Sequence, residues 1–214
     1  WARLAVDVFL SQTYEAKELW ILDDDDVPSF PDPSIFSDSR LHYTRTASLF
    51  GGDPKTNIPM KRNALTRMAT GDLIMNIDSD DWSAPERMAL QVEHLERTGK
   101  AVTGFCSMYF YDMRQGRAHL YNSRTNYALG SSLCFRRDWA LQHGFPEHKF
   151  IGSDNKFVSE AAKHSQLAEL DRRDLMVARM HDFNTSPKRP EMFTPTSLSN
   201  LPAAFLALYS PVVA

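Results

Sequence analysis

Three carboxylates, Asp78, Asp80 and Asp81, fall within four positions directly behind the apolar run 72–77. A second acidic run, Asp23 to Asp26, follows the apolar stretch 18–22 in the same way. Two carboxylates about 4 Å apart repel by roughly 4 kcal/mol at an effective dielectric near 20, so such crowding needs an offset. A hard divalent cation reverses the sign. Oxygen ligands suit Mg2+ or Mn2+, and Mg2+ characteristically takes one or two carboxylates together with substrate phosphates. In an Asp-x-Asp beyond a strand, both side chains can face the same side. One then reaches the metal while the other meets the metal's water or a ligand's sugar. A solvated acidic turn that caps the next helix is the alternative reading.

Two other chemistries are disfavoured by position. Counted from Asp78, the sixth and twelfth places of a calcium loop of the EF-hand kind hold Ser83 and Ala89 in place of Gly and Glu. A phosphohydrolase Asp-x-Asp-x-Thr/Val is disfavoured because Trp82 fills the last place.

Elements that can position these carboxylates are legible on either side. Leu4, Ala5, Val8 and Phe9 share a helical face. The stretches 18–22, 41–45 and 72–77 read as buried strands, and 27–39 and 50–57 as loops rich in Pro, Ser or Gly. Met60, Ala64, Leu65 and Met68 predict a helix, with Gly71 placed as its C-terminal cap. Ser83 and Glu86 have capping-box spacing, with Pro85 in the first turn of a helix reaching Gly99. Beyond it, 101–112 and 131–137 read as strands, Gly116 as a turn into another strand, 154–164 as a helix and 174–180 as a final strand. From Pro187 onward the composition shifts to Pro, Ser and Thr and predicts a tail, 187–214, after a domain spanning 1–186. The last apolar segment, 201–214, is broken by Pro202 and Pro211 and can dock on the domain, on a partner or on a membrane surface. Alternation of strands and helices predicts an α/β fold with a parallel sheet, in which ligands bind beyond the C-terminal strand ends. Both acidic clusters fall at such ends.

The bulk numbers narrow the function classes. A chain of 214 residues with 43% hydrophobic and 24% charged residues is an ordinary globular one with room for a large core. A net charge of −3 argues against a general nucleic-acid binder. No apolar stretch approaches the ~20 residues of a membrane span, and no signal peptide is visible. Cys106 and Cys134 form no Cys-x-x-Cys and read as buried thiols. Together these predict a reducing, cytoplasmic location, with peripheral membrane contact left open.

The stretches "FLSQTYEAKELWILDDDD", "KRNALTRMATGDLIMNIDSDDWSAPERMALQVEHL", "GSSLCFRRDWALQHGFPEHKFIGSDNKFV" and "HDFNTS" run in an order that resembles family 2 glycosyltransferases of the GT-A fold, over roughly residues 4–188. The resemblance implies a Rossmann-like central mixed, mainly parallel sheet flanked by helices. It also implies inverting sugar transfer from a nucleotide-diphosphate sugar, a UDP-sugar, to a carbohydrate or other hydroxyl acceptor. Asp23 and Asp24 match the family's Asp pair that meets the base or ribose, although Asp25 and Asp26 replace its usual Gly-Ser. Lys61 and Arg62 match the basic residues that face the nucleotide, where cations complement a pyrophosphate. Asn63 reads as helix packing. Asp78 and Asp80 match the Asp-x-Asp motif, with Asp80 as the direct ligand of Mn2+ or Mg2+ and Asp78 near the ribose or the metal. Asp81 can exchange duties with Asp80. His181 matches a polar position near the phosphates and is a candidate third metal ligand.

Asp154 matches the family's Asp that takes the acceptor's proton, and a helix N-cap is its alternative. Ser153 stands where the family carries Glu, which leaves acceptor binding open and keeps a non-catalytic nucleotide-sugar-binding domain as the second reading. The family opens on a strand of the Val-Ser-Val-Ile-Ile-Pro-Thr type before the first helix. The resemblance here begins inside that helix, so the sheet is expected to lack a central member. Trp82 and Trp139 read as core or cleft wall.

Overall fold

The computed structural model describes residues 1–46, 58–122, 125–148, 152–184 and 192–209. The first half runs α1 (Ala2–Ser11), β1 (Leu19–Asp23), β2 (Leu41–Arg45), α2 (Ile58–Met68), β3 (Leu73–Met75), β4 (Trp82–Ser83) and α3 (Arg87–Thr98). Then follow β5 (Val102–Phe105), β6 (Ser107–Asp112), β7 (Arg117–Asn122), β8 (Cys134–Arg136), α4 (Arg137–His143) and α5 (Ser153–Lys163). The chain continues with β9 (Leu167–Leu170), β10 (Met176–Met180), β11 (Thr194–Thr196) and α6 (Ala203–Tyr209). The loop expected at 50–57 lies outside the described residues.

The strands form three groups: β1-β2, β3-β8-β5-β9, and β11-β7-β6-β10-β4. β1 and β2 are parallel, with Leu19 opposite Leu41 and Asp23 opposite Arg45. The α/β class and the mixed pairing are as expected, but the balance differs. Among the described ladders three are parallel and five antiparallel. One of the five is a hairpin, and the other four join strands distant in the chain. Gly116, at φ +62°, turns β6 straight back into β7, which a parallel pair cannot do. The single strand expected over 101–112 is cut at Cys106, so that β5 serves one sheet and β6 another.

Two expected caps are replaced. α2 stops at Met68, and Glu18 accepts from the backbone N–H groups of Thr70 (2.6 Å) and Gly71 (3.2 Å). Those N–H groups therefore do not turn back onto the helix, and its last carbonyls, Thr66 O and Arg67 O, accept instead from Arg137 Nε (3.0 Å) and Nη2 (3.3 Å). The capping box is also absent. Ser83 is drawn into β4 opposite Met176, and its Oγ accepts from Arg87 Nη1 at 2.9 Å instead of from the helix backbone. α3 ends, as expected, at Gly99, which caps it at φ +64° with its N–H reaching Leu95 O.

Three apolar clusters hold the layers. Phe135, Phe145 and Phe157 pack between β8 and helices α4 and α5. Val6, Phe9, Leu19 and Met88 join α1 and β1 to α3. Trp82, Met108, Met176 and Phe205 centre the third. Residues 192–209, part of the expected tail, dock on the domain. β11 pairs with β7, and Phe205 of α6 is fully buried beside Trp82 and Tyr111. A seven-residue helix has little intrinsic stability, so this burial is what holds it. The expected boundary at 186/187 falls outside the described residues. Both cysteines are free. No described helix is long and apolar enough to cross a membrane.

Candidate active site

Helix α2 brings the two acidic strand ends to one wall. Lys61 Nζ lies 2.6 Å from Asp24 Oδ2, and Arg62 Nη2 lies 3.7 Å from Asp78 Oδ1. Consecutive helical residues point about 100° apart, so neighbours in sequence can serve different partners. Asn63, next along, packs as expected: it brackets Phe145, accepting from its N–H and donating to its C=O, both at 2.8 Å.

At the end of β1, Asp23 is buried and spends its carboxylate on its own surroundings. It accepts from Ser29 N at 2.8 Å, from Asp25 N at 3.1 Å and from the Tyr43 hydroxyl. Burial pushes its carboxyl up, but these hydrogen bonds prevail and hold it below the usual carboxylate range. The next turn is fastened by Arg45, which donates to the carbonyls of Asp25 (2.9 Å) and Asp26 (3.1 Å). Asp24 is the member of the pair that turns to Lys61.

The end of β3 is built differently. Ligand oxygens of Asp78, Asp80 and Asp81 lie within 4.8 Å of one another. Asp81 Oδ1 accepts from the backbone N–H of Arg179 at 3.0 Å, which ties the turn to β10. Asp80 Oδ2 meets His181 Nε2 at 3.0 Å and Asn184 Nδ2 at 3.2 Å. Although 40% of its side chain is exposed, desolvation in the crowded turn drives the Asp78 carboxyl above the usual range and the charge of Asp80 adds to this, while Arg62 and Arg87 pull it down. Three clustered hard oxygens with an imidazole beside them are a donor set that fits a Mg2+- or Mn2+-sized ion.

Arg87 braces this turn from behind. It is 1% exposed and donates to Asn76 O (3.0 Å), Ser131 O (3.1 Å), Ser83 Oγ (2.9 Å) and Gln91 Oε1 (3.0 Å). Burial lowers its pKa to about 10, so the guanidinium remains charged at neutral pH. Arg179 plays a related part. Its Nε donates to the Asp80 carbonyl, and its guanidinium lies over the rings of Trp1 and Tyr209, at 4.6 and 4.8 Å, which links α6 to the acidic turn.

Asp154 occupies the first turn of α5, where the helix dipole favours a carboxylate. The N-cap itself is Gly152, at φ +76°, so Asp154 lies two residues beyond the cap, at the second helical position. Its charge is felt by both Asp78 and Tyr127. Ser153 is buried. The site candidates singled out in the sequence therefore form one connected region, from Asp24 and Lys61 through Arg62 and Asp78 to Asp80 and His181, with Asp154 alongside. Asn76, Arg87, Gly130, Arg179 and Asn184 were not singled out. Arg87 carried a signal: an Arg on the apolar side of an amphipathic helix, four residues after Ser83. The others act through backbone or long-range contacts that no spacing encodes.

The sequence model described as "Glycosyl transferase family 2" matches residues 3–157. No curated protein matches the chain. Among solved structures, S. aureus TarS 1–349 in complex with UDP superposes with a TM-score of 0.60 at 16% identity, covering 84% of this chain and 56% of that one. The same span in complex with UDP-GlcNAc gives 0.60 at 17% identity, with 86% and 56% covered. S. aureus TarS gives 0.61 at 16%, with 84% and 34% covered. This chain thus spans between a third and just over half of the length of those chains, and at such identity the likeness is one of fold.

Proposed function

The chain belongs to glycosyltransferase family 2, and from that premise we propose that it transfers a sugar, with inversion, from a UDP-sugar to a hydroxyl acceptor with the help of a divalent cation. The observation that carries this reading is the α2 bridge, Asp24–Lys61 and Arg62–Asp78, which gives the nucleotide side and the cation side a common wall. TarS was solved with UDP and with UDP-GlcNAc, which supports a uridine nucleotide.

In this reading Asp24 and Asp78 face base and ribose, and Lys61 and Arg62 balance the diphosphate. Asp23 orders the loop that carries Asp24. Asp80, with Asp78 and His181, holds Mn2+ or Mg2+. The cation supplies Lewis-acid stabilisation of the departing diphosphate, a contribution of several kcal/mol. Asp154 takes the proton of the acceptor hydroxyl as its oxygen attacks the anomeric carbon from the side opposite the leaving group. The bond to UDP breaks, UDP leaves with that electron pair, and configuration inverts. A positioned base of this kind contributes about 10²–10⁴ in rate.

Ser153 favours a second reading. Its side chain is buried where the family carries a Glu, so it offers nothing to an acceptor. A domain that binds a nucleotide sugar without turning it over fits that feature. Calorimetry with UDP, with and without Mn2+, tests the shared part of both readings. Asp80→Ala is expected to remove the metal-dependent part of UDP affinity, and unchanged affinity overturns the site. UDP release from a panel of UDP-sugars with mixed acceptors then separates enzyme from binder.

A further inference from the structure

Gly130 opens a tight 3-10 turn, Gly130–Ser132, between β7 and β8. Its backbone does not require glycine. Gly99, Gly116, Gly144 and Gly152 have positive φ, and Gly130 does not. The space around it does require glycine. A Cβ on Gly130 would lie 1.9 Å from Asp154 Oδ2, 2.6 Å from Asp154 Cγ and 2.7 Å from Asp154 Cβ. Non-bonded heavy atoms settle about 3.5–4.0 Å apart, so the Asp154 side chain occupies the volume a side chain would take.

The same turn is fixed to the acidic cluster from its other side. Asn76 Nδ2 donates to Gly130 O at 2.9 Å, Asn76 N donates to Leu133 O at 2.9 Å, and Arg87 spans Asn76 O and Ser131 O. Gln91 Nε2 adds a bond to Ser132 O at 2.8 Å. Two residues after Asn76 comes Asp78. The turn is therefore a rigid spacer with the carboxylates of the β3 end on one side and Asp154 on the other.

We propose that Gly130 is a positioning residue: by lacking a side chain it seats Asp154 at the distance from the Asp78–Asp81 turn that proton removal from the acceptor needs. This rests on the reading of Asp154 as the base. The bulk of residue 130 sets the reach of that base, while nucleotide and cation are held by groups the substitution does not touch.

Gly130→Ala is the test, read by two measurements. UDP release from UDP-sugars with water as acceptor is expected to fall about 100-fold in kcat, since a misplacement near 1 Å costs about that much. UDP affinity in Mn2+ is expected to stay within about threefold. Thermal unfolding is the second measurement and needs no activity. Gly130→Ala is expected to lower Tm by about 4 °C in the wild-type background, as overpacking does, and to cost nearly nothing in an Asp154→Gly background, where the obstructing atoms are gone. An equal Tm cost in both backgrounds overturns the proposal, as does failure of the double variant to fold, or kcat unaffected by the alanine. Folding of the double variant where Gly130→Ala alone does not fold supports it. A wild-type chain without turnover, but with the Tm coupling intact, overturns the role of Asp154 as base and the positioning role with it, and leaves only the steric seat. UDP binding without turnover then points to the second reading of the function.

Discussion

At the end of β1 stand four aspartates in a row, and at the end of β3 an Asp-Ser-Asp-Asp. The two letter strings are nearly interchangeable, yet the first cluster is closed and the second open. Asp23 receives three hydrogen bonds from its own surroundings and ionises more readily than a free carboxylate. The Asp78 side chain is 40% exposed, but desolvation in the crowded turn and the charge of Asp80 make it ionise less readily. Asp23 resolves its charge with protein donors fixed at folding. The second cluster keeps a charge surplus that Arg62 and Arg87 relieve only in part. Acidic density alone does not mark a cation site. Asp81 is tied to the backbone N–H of Arg179, so what separates the clusters is the pair Asp23 and Asp78: backbone N–H groups have taken the carboxylate oxygens of the first, and the second has Arg62 at 3.7 Å.

The sharpest way to break that contrast is to substitute one aspartate in each cluster and measure stability and cation response side by side. Asp23→Ala removes the acceptor for two backbone N–H groups and the Tyr43 hydroxyl. The expected loss is about 3 kcal/mol, since three part-buried hydrogen bonds to one charged carboxylate are lost together. Asp78→Asn is expected to leave urea stability unchanged or slightly raised, because a strained charge disappears, while Mn2+-dependent UDP affinity drops at least about tenfold. If Asp78→Asn destabilised as much as Asp23→Ala, the second cluster would be structural as well.

The sequence made the strand ends legible because an apolar run followed by aspartates is a local pattern. It made α2 and its Lys61-Arg62 pair legible for the same reason. The identity of the open cluster was not local. It depends on Ser29 and Tyr43 folding back to Asp23, on Arg179 reaching Asp81 across 98 positions, and on Asp78 having, among the described residues, Arg62 at 3.7 Å in place of such donors. The capping box failed likewise: Ser83 and Glu86 have the right spacing, but a buried Arg87 and a pairing with Met176 outcompeted a local hydrogen bond. The end of the chain was legible only in part: docking on the domain was one of three fates open to 201–214, and the burial of Phe205 against Trp82 and Tyr111, a long-range contact, is what selects it.

A cation should sharpen the contrast further. Binding to the folded state alone stabilises by about 2.7 kcal/mol at a hundredfold excess over Kd. For a chain of this length that is a rise in Tm of about 5–10 °C with Mn2+ and UDP, reversed by EDTA. Asp80→Ala is expected to lose the rise. Asp24→Ala is expected to lose the part that UDP adds while keeping a smaller response to Mn2+ alone. A wild-type Tm indifferent to Mn2+ and UDP would mean that the open cluster is relieved by Arg62 and Arg87 alone.

The smallest effect is the dependence on pH, and here the two clusters should pull in opposite directions. The folded-state pKa of Asp23 is depressed from 3.8, chiefly by its hydrogen bonds working against burial, and Glu18 is depressed from 4.5 in the same way by Thr70 and Gly71. Each therefore contributes stability that is present above its unfolded value and is lost as pH falls through the lowered folded value. Asp78 is raised from 3.8 by desolvation, so its contribution is complete below 3.8 and is lost as pH rises through the raised value. In EDTA, wild type and Asp78→Asn should unfold alike at low pH, and the variant should gain the advantage as pH approaches about 7. Asp23→Asn should show the reverse, a deficit near neutrality that closes as acid protonates the wild-type carboxyl. Urea midpoints across that range decide it. Two difference curves of the same sign would mean that both clusters are closed, and the distinction drawn from their hydrogen bonds would fail.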